Sequence, residues 1–157
     1  KLPLPNEPTW LRALHLHVAS ALFALPACTV LLSRRLLRQA PKLHRWLGRV
    51  TGILILVAVV PTGSYLAFDA TGGAGSTAGF LLSGAIMWVA MVLAIQAARR
   101  RDFVRHRQAI AHVVAQMSVA VTSRAMLRVF AHTEIDADVA YIVSLWVPVI
   151  GSATMAT

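Results

Sequence analysis

The 157-residue chain is 57% apolar, carries only 13% charged side chains and has a net charge of +9. Soluble globular domains run near 25% charged residues, so too little polar surface is present here to cover a soluble fold. The surplus of basic residues does not form a nucleic-acid footprint either. Aromatic residues make up 7% of the chain, and no basic helix or stacking platform accompanies the charge.

The charge is sorted along the chain. Eleven of the 15 basic residues fall in two stretches, Arg34, Arg35, Arg38, Lys42, Arg45 and Arg49, then Arg99, Arg100, Arg101, Arg105 and Arg107. Five of the six acids, Glu7, Asp69, Glu134, Asp136 and Asp138, lie in the intervening segments. Lys and Arg accumulate in the cytoplasmic loops of polytopic membrane proteins, so this pattern reads as topology.

The chain opens at Lys1 in a Pro-rich stretch without an initiator Met, which reads as a processed chain or as part of a longer one. A spanning helix needs about 20 apolar residues. The uncharged run between Arg12 and Arg34 gives the first span near 12–33, and the run between Arg49 and Asp69 gives the second near 49–68. The Gly-rich segment 71–76 is expected to be a flexible turn, followed by a third span near 77–98. The fourth occupies about 108–130, interrupted by Arg124 and Arg128, and the fifth about 139–157. The expected fold is all-α, a single polytopic bundle of five transmembrane helices. All four connections agree on one orientation in a bacterial inner membrane, with the N-terminus periplasmic and the C-terminus cytoplasmic.

Pro26, Pro61 and Pro148 fall near the middles of the first, second and fifth spans, where each removes one backbone hydrogen bond. Gly48 with Gly52, and Gly79 with Ser83, are small-residue steps of the kind found at close helix contacts. Cys28, the single cysteine, lies in an apolar run and reads as a small buried hydrophobe.

Arg124 is the costliest residue to place. It lies roughly 8 Å from the bilayer centre at 1.5 Å per residue, where an unpaired charge costs at least a few kcal/mol, so it is expected either to meet an anionic or carbonyl partner inside the bundle or to snorkel to the headgroups. On the same helix His112, Gln116 and Ser123 form a polar stripe beside the Arg face. That helix is therefore expected to face the bundle interior or a wet cavity, or the stripe is an interhelical hydrogen-bonded seam. His17 of the first span lies at nearly the depth of Arg124, and Tyr65 and Tyr141 approach that level. These four define a candidate outer polar pocket, whose imidazole could ligate a haem iron or hydrogen-bond a quinone carbonyl.

His44 and His106 occupy equivalent places, each after a basic loop and ahead of a helix: His-Arg-Trp-Leu-Gly-Arg at 44–49 and His-Arg-Gln-Ala-Ile at 106–110. This spacing resembles a bacterial family of predicted membrane proteins of unknown function, which pairs an HRWLGR segment with a later HRRWM-like one. The resemblance covers about His17 to Trp146. It maps His17, His44, Arg45, Trp46, Gly48, Arg49, His106, Arg107 and Arg124 onto family positions. The chain departs from the pattern at His112, where the family usually has Arg, and at Val149, where it usually has Asn.

A bis-His haem b needs two imidazoles at one depth on different helices. His17 has no such partner at its level, so His44 with His106 is the better-matched pair, at the membrane interface and with His44 outside the second span. No CxxCH attachment motif, zinc-spaced cluster, Walker loop, GxSxG elbow or HExxH helix is present. The expectation is a non-catalytic accessory or binding subunit that packs against a larger membrane complex and lipid. The alternative is a redox-associated protein holding haem b or quinone. A transporter is the weakest reading, because no inverted repeat extends beyond the two His-Arg motifs.

Overall fold

A computed structural model describes residues 7–155, so the Pro-rich opening and the last residues of the expected fifth span lie outside the described region. No strand occurs among the described residues, and five helices are long and apolar enough to cross a membrane. We number them with one short helix included: α1 (Glu7–Leu31), α2 (Arg34–Gln39), α3 (Pro41–Asp69), α4 (Gly73–Arg99), α5 (Phe103–Phe130) and α6 (Ala137–Met155).

The helices outrun the apolar segments that announce them. α1 starts at Glu7 instead of 12, α3 at Pro41 instead of 49, and α5 at Phe103 instead of 108. Charged residues form helix as readily as apolar ones once a start signal is given. At α3 that signal is Pro41 in the first turn, where its missing N–H is not needed. At α5 it is Asp102, whose carboxylate accepts the Arg105 N–H at 3.1 Å. His44 therefore lies within α3 and not outside it. Much of the expected Gly-rich turn is the first turn of α4, because Gly72 at φ 86° ends the connection and α4 begins at Gly73. The first basic loop contains α2, capped by the Ser33 hydroxyl, which accepts the Leu36 N–H at 3.4 Å.

α1, α3, α4 and α5 close into a four-helix ring around Ala24, Cys28, Ile55, Val59, Met87, Met91, Val113 and Met117. α6 lies outside the ring in the groove between α4 and α5. The interior mixes Ala, Cys and Met with a few branched side chains such as Ile55 and Val113, while many large apolar ones such as Leu22 (71% exposed) and Val57 (70%) face outward. That distribution suits lipid as solvent, where close backbone approach replaces the hydrophobic drive. α6 depends on it: a Cβ at Gly79 would sit 2.8 Å from Leu145 Cδ2. The Trp146 indole N–H donates to Gly75 O at 3.0 Å in the same seam.

One end of the bundle collects the basic residues of α2, the start of α3 and the α4–α5 turn. The other collects Glu7, Asp69, Glu134, Asp136 and Asp138. We refer to these as the basic and acidic ends.

Candidate functional site

α3 is not a uniform helix. Over Ile55–Val59 it widens into a π turn, closed by the Val60 N–H donating to Ile55 O. The widening lies just ahead of Pro61, which has no N–H to return to Val57 O. Such turns free backbone carbonyls, and they recur at functional sites.

At this irregularity the Val59 carbonyl takes an outside donor, the His17 ring of α1. His17 Nδ1 lies 3.0 Å from Val59 O and 3.1 Å from Thr62 Oγ1. The Thr62 hydroxyl already donates to Ala58 O, so it can only accept from the imidazole. Two acceptors facing Nδ1 place the proton there, and in the neutral ring Nε2 carries the lone pair. Gly63 makes room for this, since a Cβ there would lie 2.9 Å from His17 Cε1. Val59, Thr62 and Gly63 were not singled out in the sequence. The only local signal was the Pro-Thr-Gly run at 61–63.

Arg124 of α5 lies near enough to His17 for their charges to interact. Its guanidinium turns back toward the bundle middle, donating from Nη1 to Ala120 O at 3.1 Å, and is otherwise exposed. α1 and α5 are joined where the Cys28 thiol meets Met117 Sδ at 3.8 Å. The two tyrosines of the expected pocket are not hydrogen-bonded to His17 or Arg124. Tyr65 is 42% exposed on α3. Tyr141 packs beside the Gly72 turn, its Cδ1 at 3.3 Å from a Cβ built there.

The polar stripe of α5 divides. Gln116, 2% exposed, accepts from the Ser83 hydroxyl at 2.8 Å and donates to Val149 O at 3.3 Å, linking α4, α5 and α6. Ser123 bonds its own helix through Ala120 O. His112 lines a groove between α4 and α5 instead.

At the basic end, His44 of α3 and His106 of α5 are near enough for an electrostatic interaction. His106 Nδ1 donates to Ala94 O at 2.9 Å, leaving Nε2 with the lone pair. His44 Nδ1 is buried without a hydrogen-bond partner, as is Thr51 Oγ1 seven residues along the same helix. No group of three or more His, Cys, Asp or Glu side chains arranged for a metal ion occurs among the described residues.

Five apolar helices joined by hydrogen bonds between buried polar groups define a polytopic α-helical membrane protein. The chain belongs to the family described as "Predicted membrane protein (DUF2306)", whose model matches residues 14–157. No curated protein and no solved structure matches it.

Proposed function

We propose that this protein is a non-catalytic binding subunit of the bacterial inner membrane, which packs against a larger membrane complex and the bilayer. Its basic end faces the cytoplasm and its N-terminus the periplasm, as the distribution of Lys and Arg favours. The binding site lies between α1 and α5 in the acidic half.

One observation carries this reading. His17 is fixed through Nδ1 so that Nε2 presents a lone pair, and the exposed Arg124 guanidinium, with one own-helix bond, lies beside it. A charge at that depth costs a few kcal/mol unless something accepts its remaining donors. A partner carboxylate, a lipid phosphate or a carbonyl would do so, while Nε2 would accept from a hydroxyl or N–H of the same ligand.

A second, redox reading is favoured by the histidine anchoring itself. Imidazoles that bind metals are commonly oriented by a hydrogen bond from the other ring nitrogen to a carbonyl. His17 and His106 both have that arrangement. It suits a quinone held between His17 and Arg124, or a haem b held through the His44–His106 end.

Purification in mild detergent, followed by absorption spectroscopy and mass spectrometry of the organic extract, separates the readings. The first expects co-purified subunits or an acidic amphiphile, with no Soret band. A Soret band that sharpens on dithionite reduction, or stoichiometric quinone, overturns it in favour of the second.

A further inference from the structure

On the outer face of α4 and α5, two adjoining hollows of about 300 and 400 Å³ share Leu93, Ala109 and His112. They form one groove. Toward the bundle middle it is lined by Ala85, Ile86 and Val89, and it carries no charge there. Toward the basic end it opens between Arg100 and Arg105.

The dimensions match one lipid of one leaflet. From Ala85 to Arg100 the helix rises roughly 22 Å at 1.5 Å per residue. Half of a ~30 Å hydrocarbon core plus one headgroup layer comes to about 20–22 Å. The polarity matches as well, with alanines and branched side chains along the tail and two guanidiniums at the head. Asp102 lies among the lining residues, but its carboxylate is committed, accepting the Arg105 N–H and pairing with Arg105 Nε at 3.3 Å. Arg100 therefore supplies the free positive charge and Arg105 a second, partly neutralised one.

We infer that the α4–α5 groove is a binding site for one anionic phospholipid of the leaflet at the basic end, its phosphate between Arg100 and Arg105 and an acyl chain lying over Ala109 and Ala85. This site is separate from His17 and Arg124, and the two readings stand or fall independently. His112 lines both hollows where the apolar and basic parts join.

Native mass spectrometry of the full chain in detergent, titrated with phosphatidylglycerol and with phosphatidylcholine, tests the site. Phosphatidylglycerol should bind more tightly, with one molecule saturating first. A basic side chain near the surface contributes up to about five-fold to such binding, so R100Q/R105Q, with Arg105 already paired to Asp102, should weaken phosphatidylglycerol roughly 5- to 25-fold and leave phosphatidylcholine unchanged. R34Q/R35Q, equal in charge but in α2, should change neither. Ala85→Phe fills the tail end and should weaken binding with every charge intact. If the double variant does not fold, Arg100→Gln alone should still cost about five-fold. Equal binding of the two lipids, an equal loss in R34Q/R35Q, or competition by glycerol 3-phosphate at matching concentration overturns the proposal.

Discussion

Gly63→Ala tests whether His17 is held as described. A Cβ at position 63 would sit 2.9 Å from His17 Cε1 and 3.3 Å from Nδ1, the atom that donates to Val59 O. The ring edge cannot move away without breaking that bond. Overpacking of this kind costs about 1–3 kcal/mol, and a helical Gly→Ala replacement returns up to about 1 kcal/mol. A net loss of roughly 1–2 kcal/mol is therefore expected in thermal or SDS-titrated unfolding of the purified protein. Nitrogen-15 NMR of His17 should show the parent ring protonated at Nδ1, and the variant should lose that signature. If Gly63→Ala is stabilising, as at an open helical site, and the His17 spectrum is unchanged, the anchoring is wrong.

Gln116→Leu removes both hydrogen bonds of the α4–α5–α6 junction and should destabilise by about 1–2 kcal/mol, since single interhelical bonds in membranes average about 0.6. Combined with Ser83→Ala in a double-mutant cycle, a coupling energy near zero would show that the junction contributes nothing. Arg101 holds φ 60° in the α4–α5 turn, where the Asp102 N–H reaches back to Ala97 O at 2.9 Å. Glycine adopts that conformation without strain, so Arg101→Gly should raise stability by about 0.5–1 kcal/mol, and a loss of stability in the same unfolding assay would contradict the turn. For the orientation, single cysteines at Arg38 and Asp136, introduced in a Cys28→Ala background, should label from the cytoplasm and the periplasm respectively. Labelling of position 38 from the periplasm would reverse the assignment.

Span number and helical class were legible because a bilayer imposes a coarse, linear requirement: about 20 uncharged residues per crossing. Helix ends were not, because lipid thickness limits the apolar stretch and not the helix. Pro41 and Asp102 start their helices well before the apolar runs begin. The equivalent places of His44 and His106 ahead of two helices were readable in the sequence, but the position of His44 inside α3 was not. The π turn and the Val59 carbonyl had no sequence signature, since a backbone acceptor looks the same at every residue. The polar stripe of α5 shows the same limit. Helical periodicity put His112, Gln116 and Ser123 on one face, but only packing could assign Gln116 to α6 and His112 to an open groove.

The site at His17 and Arg124 is tested most directly by comparing what the parent and Arg124→Leu retain on purification from native membranes, measured by quantitative mass spectrometry of bound subunits and amphiphiles. Arg124→Leu keeps an apolar side chain in the membrane and should insert and fold, yet lose the bound species. Arg124→Lys, which preserves charge but not the planar fork, should retain it only in part. Arg124→Leu that is as stable as the parent and keeps every bound species would contradict a binding role for this arginine.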